Sequence, residues 1–486
     1  MSSRESNGGV IRNSYFILSL ILLVSAALHL VRIGTPNHPV FDEAYFATYA
    51  ADNALRIPYF DIHPPLGRLL YSVPLFFYDK SNLNEATYVV NEKAPDGKSL
   101  VARGIDKPYE NFPYETERLV GVFFGLLLIC SVFFFARELA GERAALLAAF
   151  LVALENAILL DTRLILMDGM YLSFGFLSLY FFFKKSNNKK CGRAEESEEH
   201  KERSTGAVIK VGKTGLAPLE RTLLLRHRYS NIIISAIFFG LAVSIKLTAV
   251  VFAGPVVVAL ILRNILGKER RYRDVFVFFA VAIVTFLILL VGINGLLFAP
   301  EKQLSAMGLL FDIPNITANP SIIKASFYQL LLGVAGYTVG GTNPLMSPWY
   351  LWPFMMKPMR LTSAGEIVLI GNMFIWIAST LAVLGTLFKY ARRIIQHAPY
   401  DGKENPVAIL LFGYIFALLP FFTFVTRATF LYHYFPALLL AIALLATLTT
   451  RWLENKTKRV QMLTYGVVGV LSVWGFIISV PYTYGL

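Results

Sequence analysis

The chain has 486 residues, of which 56% are hydrophobic, 14% aromatic and only 16% charged. With a mean hydropathy of +0.56 this excludes an ordinary soluble enzyme and points to a multi-spanning membrane protein. A net charge of +13 would suit a nucleic-acid binder, but the basic residues gather in short loops between apolar runs, where membrane topology puts them.

Eleven apolar runs have roughly the length that crosses a bilayer, about 17–25 residues. The first, 14–33, is followed by no convincing small-x-small cleavage site and reads as a retained span, not a signal peptide. A polar segment, 34–116, separates it from runs at 117–136, 144–160 and 163–183. Segment 184–230 then carries twelve Lys/Arg against six Glu. The stretch 231–263 is too long for one span and has Lys246 near its middle, so it divides into helices at 231–246 and 248–263 that turn at "SIKLTA". A run at 275–298 leads to a second long loop, 299–366, and the chain closes with runs at 367–388, 407–425, 433–449 and 463–480. No Gly/Pro-rich linker or internal repeat divides it, so 1–486 reads as one all-α integral membrane domain. Cys130 lies in an apolar run and Cys191 in a charged loop, which leaves neither a disulfide framework nor a thiolate metal site.

Charge sets the expected orientation. Segment 184–230, "RNILGKERRYR", "KYARRIIQHAPYDGK" and "TRWLENKTKR" are basic and belong on the cytoplasmic side, together with the short "RELAGER". Eleven spans then place the N-terminus in the cytoplasm and the C-terminus outside, with 34–116 and 299–366 as external loops.

The first of these loops opens with "FDEAYFATYAADNALRIPYFDIHPPLGRLL". Asp42 is an acceptable N-cap for a helix over "EAYFATYAADNAL", too short and polar to span. Such a helix would lie along the membrane surface on Tyr45, Phe46 and Tyr49, with Asp52 on its solvated face. Asp42 and Glu43, about 100° apart on a helix, need not share a role. Pro64 and Pro65 then fix an extended return to the membrane.

Ionisable residues are costly near lipid and become functional candidates by default. On the outer side these are Asp42, Glu43, Asp61, His63, Arg118, Asp161, Arg163, Lys246, Arg427 and His433, with Glu155 and Asp168 deeper. Each alone could equally be an ion pair or a snorkelling side chain. Together they set carboxylates of the first loop against cations at the ends of four spans, a pocket suited to a phosphate-bearing lipid. In the second loop Trp349 and Trp352 read as interfacial anchors, and "SIIKASFYQLLLGVAGYTVGG" as a surface piece partly covering the site.

The first-loop sequence resembles that of protein O-mannosyltransferases, whose pattern is Asp-Glu followed by Asp-x-His-Pro-Pro-Leu-Gly/Ala-Lys. Further similar blocks follow in family order: "ERLVGVFFG" at Arg118, "LENAILLDTRLILMDGMYL", "GLAVSIKLTAV" at Lys246, "NPLMSPWYLWPFMMKPMR" and "RATFLYHYFPALL". Two departures stand out: "NPLMS" replaces the family's "HPYSS", and Asp161 replaces a neutral polar residue. Loop 299–366 is also too short for the β-trefoil MIR domain of eukaryotic members, which resembles the prokaryotic branch. The resemblance implies a GT-C glycosyltransferase fold with an N-inside, eleven-span topology, in a prokaryotic plasma membrane with the site facing outside, or in the ER with a luminal site. It implies inverting transfer of mannose from polyprenyl (dolichyl) phosphate mannose to Ser/Thr hydroxyls of proteins. In that mechanism Asp42 would be the base, Glu43 would orient acceptor or sugar, and Asp61 and His63 would shape the sugar site. Arg118, supported by Arg163 or Lys246, would hold the phosphate, and Arg427 and His433 would complete the substrate site. A divalent cation is compatible with this site but not demanded by any spacing, and a dimer partner is equally open. The alternatives are a GT-C transferase of another sugar to a lipid, similar to aminoarabinose transferases, and a lipid-phosphate transporter.

Overall fold

The computed structural model of the chain describes residues 2–86, 108–184, 218–266, 272–336, 343–397, 402–423 and 425–486. Most of the basic segment 184–230, with Cys191, lies outside the described residues. Each of the eleven apolar runs holds a helix. They form α1 (Ser2–Leu30), α5 (Tyr114–Ala140), α6 (Glu142–Ala153) with α7 (Asn156–Thr162), α8 (Asp168–Phe183), α9 (Pro218–Val243) and α10 (Ala253–Leu266). The series continues with α11 (Tyr272–Leu297), α14 (Met373–Ile395), α15 (Asn405–Thr423), α16 (Phe435–Leu453) and α17 (Lys458–Tyr484). Among the described residues seven helices are long and apolar enough to cross a membrane alone, and α6 and α7 form a further pair bent by 67°.

The breaks have local causes. Gly141, at φ +88°, lets α5 end and α6 begin without a gap, a backbone state that a side chain would strain. Glu155 interrupts the third run, where its carboxylate accepts a hydrogen bond from Ala157 N at 3.2 Å and caps α7. The turn within 231–263 falls at 244–246, after which Leu247–Phe252 forms a 3-10 turn leading into α10. There the freed carbonyl of Ser244 accepts from Leu66 N at 3.1 Å, so this unwound backbone is satisfied by the first loop. The helix expected from Arg163 begins at Asp168 instead, which leaves Arg163 to Met167 as a buried non-helical link.

Helix α16 with its leading turn is the most enclosed span, packed against α6, α14 and α15. Helices α11 and α17 are mostly exposed, with Ile283, Val284 and Ile288 of α11 facing outward as lipid-facing residues do.

Segment 34–116 contributes α2 (Glu43–Leu55), α3 (Leu66–Leu75) and α4 (Lys80–Ala86). Helix α2 is not the surface helix expected from its length and polarity. Phe46 and Asp52 are buried, and Asn53 bonds Ser72 Oγ of α3 at 3.0 Å and the Tyr59 hydroxyl at 2.9 Å. Its small residues Ala47, Ala50, Ala51 and Ala54 let neighbouring helices approach closely, and that packing outweighs surface exposure of the polar ones. Segment 299–366 holds α12 (Pro300–Phe311) and α13 (Ile322–Gly336). Asn294 of α11 fixes α13 by hydrogen bonds to Ser326 Oγ (3.2 Å) and Gln329 Oε1 (2.6 Å). Trp352 is no interfacial anchor: it is fully buried, and its indole N–H donates to Ser347. The only strands among the described residues are β1 (Met359–Arg360) and β2 (Val368–Leu369), paired antiparallel.

Candidate active site

Two pockets meet at one end of the bundle, and Asp42, His63 and Arg427 line both. The smaller holds about 30 Å³ and is walled by Asp168, Tyr171, Lys246, Tyr432 and His433. The larger, about 510 Å³, is bounded by α2, the Phe60–His63 segment and the end of α12.

Asp42 occupies the N-cap of α2 but makes no side-chain cap, so its carboxylate remains available to the pockets. Burial pushes its pKa up to about 7; Lys246 and Arg427 work against the rise, while Asp168 and Asp61 add to it. An acid poised there is half-ionised near neutrality, as a general base at that pH requires.

His63 is held by Asp61, whose Oδ1 accepts from the imidazole at Nδ1 (3.0 Å) and from His63 N (3.3 Å). The other Asp61 oxygen pairs with Arg68 at 3.0 Å, and Arg68 also donates to His63 O at 3.0 Å. Beneath them the Arg68 guanidinium lies 5.0 Å from the Tyr59 ring, which stacks on Tyr49 at 4.3 Å. Burial would raise the Asp61 pKa, but His63 and Arg68 overcome it and hold the carboxyl at about 2. Burial lowers the His63 pKa, with Asp61 opposing. The histidine is thus a ring oriented by the Asp61 carboxylate, with burial favouring its neutral form.

On the opposite wall Lys246 Nζ contacts Asp168 Oδ2 at 2.6 Å and lies over the rings of Tyr432 (4.9 Å) and Tyr171 (5.8 Å). His433 stacks on Tyr432 at 4.4 Å, and its Nδ1 accepts from Phe430 N at 3.1 Å. Lys246 and Arg427 give this small pocket two cations.

Three of the expected site residues stand elsewhere. Glu43 and Arg118 form a bidentate pair with two 2.9 Å bonds, both residues at 0% exposure. Glu43 also accepts from Val40 N and Ile165 N at 2.8 Å, while Arg118 donates to the carbonyls of Ile33 and Pro36 at 2.8 Å. Their polar capacity is spent on tying the first loop to α5 and to the link before α8, and neither lines a pocket. Arg163 donates to Thr483 O and Val31 O and stacks on Tyr484 at 4.2 Å, pinning the end of α17 to the end of α1. Asp161 is buried in α7 and lines neither pocket. Glu155 likewise serves the frame, accepting from Asn372 N.

Sequence reasoning left Arg68, Tyr171 and Tyr432 out of the site and set Asp168 deeper in the membrane without a role there. Arg68 stands where the family pattern carries a lysine, and Asp168 with Lys246 are charges inside apolar runs; those were the available signals. Among the described residues no group of three or more His, Cys, Asp and Glu side chains is placed to hold a metal ion.

The helical bundle has the GT-C fold of its solved structural neighbours. Over 97% of this chain and 90% of theirs, it superposes on a chain of the Saccharomyces cerevisiae protein O-mannosyltransferase Pmt1-Pmt2 complex, with TM-score 0.70 at 14% identity. It also covers 56% of the Archaeoglobus fulgidus oligosaccharyltransferase with TM-score 0.54 and 13% identity. Residues 19–200 match the family described as dolichyl-phosphate-mannose-protein mannosyltransferase, and residues 333–486 match the C-terminal four-span region of protein-O-mannosyltransferase. The chain belongs to the protein O-mannosyltransferase family. Candida albicans dolichyl-phosphate-mannose–protein mannosyltransferase 4 is 29% identical over 176 residues, 36% of this chain and 21% of that protein. Protein O-mannosyltransferase 1 of Drosophila pseudoobscura is 30% identical over 154 residues, 31% of this chain and 15% of that protein. The matched stretch therefore spans about a fifth or less of each relative's length.

Proposed function

We propose that the protein transfers mannose from a polyprenyl (dolichyl) phosphate mannose to Ser or Thr hydroxyls of proteins, with inversion, at the external face of the membrane. The observation that carries this reading is the position of Asp42, which lines both a small pocket holding Lys246, Arg427 and Asp168 and a larger open one. Inversion needs the leaving phosphate and the attacking hydroxyl on opposite sides of the anomeric carbon; in this reading the phosphate lies toward Lys246 and the acceptor enters through the larger pocket. Asp42 takes the hydroxyl proton as the acceptor oxygen bonds to the anomeric carbon. The bond from that carbon to the phosphate oxygen breaks, and the phosphate leaves as an anion that needs no proton. Lys246 and Arg427 receive its charge, with His433 and Tyr432 closing the wall. Asp61 and Arg68 keep His63 facing the sugar between them. Arg118 and Glu43 act as positioning residues that hold the loop carrying Asp42. The heteromeric complex named for the yeast structure supports a further reading, that this chain works beside a second copy or a related chain.

The test incubates membranes containing the protein with labelled polyprenyl phosphate mannose and a Ser/Thr peptide. Label should enter the peptide and be lost in Asp42→Asn, with donor binding retained. Label entering lipid alone would instead establish a lipid acceptor.

A further inference from the structure

The larger pocket does more than admit a hydroxyl. Beyond the charged residues at its inner end, everything lining it is aromatic or aliphatic, including Tyr45, Tyr49, Phe60, Leu310 and Phe311. One wall comes from α2 and the other from α12, that is, from two different loops. Phe60 and Phe311 join them edge to face with ring centroids 4.8 Å apart. Behind them Phe60, Leu304, Met307, Ile316 and Ala325 form a separate apolar core. The opposite wall is stiffened by the Tyr49–Tyr59 stack resting on Arg68. At its mouth Tyr45 is 43% and Phe311 40% exposed, so the cleft opens outward while its inner end reaches Asp42. A volume of about 510 Å³ is in the range of preformed ligand sites, about 300–1,000 Å³.

Beyond Asp42, Asp61, His63 and Arg427 at the inner end, a sugar would find only the Tyr45 and Tyr49 hydroxyls to bond along such walls. A peptide side chain next to the reacting hydroxyl would find an apolar, preorganised slot. An acidic side chain held among the apolar walls would have no partner for its charge, which adds discrimination against a wrong acceptor.

Building on the protein-acceptor reading, we propose that the cleft between α2 and α12 is a side-chain pocket that selects acceptors carrying an apolar residue beside the hydroxyl. Burying a few extra methylenes in such a pocket is worth roughly 10–200-fold in discrimination.

The experiment uses the full chain in phospholipid nanodiscs with labelled polyprenyl phosphate mannose. The acceptors are peptides identical except for the residue beside a single Thr: Leu, Phe, Gly or Asp. The expected order of kcat/KM is Leu and Phe above Gly by about tenfold or more, with Asp lowest. Phe311→Ala should shrink the Leu-to-Gly ratio to below about threefold by raising the peptide KM. Tyr45→Ala, at an exposed position that tolerates truncation, should do the same. Equal rates across the peptide set overturn the inference and leave the protein-acceptor reading standing. A rise in donor KM at an unchanged Leu-to-Gly ratio also overturns it, because the cleft would then serve the lipid. Label in no peptide, with the donor consumed into lipid, overturns both.

Discussion

Arg118→Ala would separate a structural from a substrate-binding role for the buried Glu43–Arg118 pair. Removing one partner of a fully buried ion pair costs about 3–5 kcal/mol, because the other charge is left uncompensated. Here the loss extends further, since the carbonyls of Ile33 and Pro36 also lose their donor, each at about 1–3 kcal/mol if water does not enter. Folded proteins hold only about 5–15 kcal/mol in reserve, so Arg118→Ala should fail to accumulate. Arg118→Lys retains the charge but not the fork, and gives a measurable protein with a clearly lowered melting temperature. The double variant Glu43→Gln/Arg118→Met removes both charges and should be less destabilised than the two single changes summed, by about 1–3 kcal/mol of coupling. Thermal unfolding in nanodiscs, alongside the KM for labelled lipid donor, reads both quantities. If Arg118→Lys melts with the unsubstituted protein and raises donor KM tenfold, Arg118 binds phosphate and the positioning role is refuted.

Two further outcomes follow from the same geometry. With Asp42 titrating near pH 7 and acting only when ionised, kcat/KM should fall about tenfold per pH unit below 7 and level off above it. Its folded pKa lies above the unfolded value, so its contribution to stability is full below about pH 4 and lost as pH rises through 7. Asp42→Asn should therefore melt above the parent at pH 8 and close to it at pH 4; the reverse order would contradict the assignment. At Gly333 of α13, an added Cβ would stand 2.6 Å from the Ile62 carbonyl oxygen. Gly333→Ala must push α13 away from the Asp61–His63 segment, which should lower kcat/KM while α11–α13 contacts keep the melting temperature within a few degrees; unchanged turnover would show that this contact is dispensable.

Much of the fold was legible because bilayer thickness writes itself into run length: each of the eleven apolar runs holds a helix, although among the described residues seven are long enough to cross alone. The break at Lys246 was legible because a lone charge in the middle of an apolar stretch has few tolerable environments. What escaped was the allocation of charges. Asp42 and Glu43 are adjacent in sequence, yet one faces the pockets and the other is saturated by Arg118, and only the packing of the first loop against α5 decides which. Arg118 and Lys246 both sit at span ends, yet one meets the carbonyls of a folded loop and the other a cavity. The polarity of α2 suggested a surface helix because its alanines, the residues that permit its burial, carry no strong hydropathy signal.

The contact between Lys246 and Asp168 has a consequence for selectivity within a membrane. Ordinary phospholipids surround the protein at concentrations far above any rare carrier lipid, and all of them present phosphate. An ammonium already matched with a carboxylate at 2.6 Å gains little by exchanging one anion for another. Only a ligand that brings additional contacts, such as a sugar reaching Asp42 and His63, recovers the cost of separating that pair. On the proposed reading, the resting ion pair would work as a filter, closing the cation to headgroups that offer charge and nothing else.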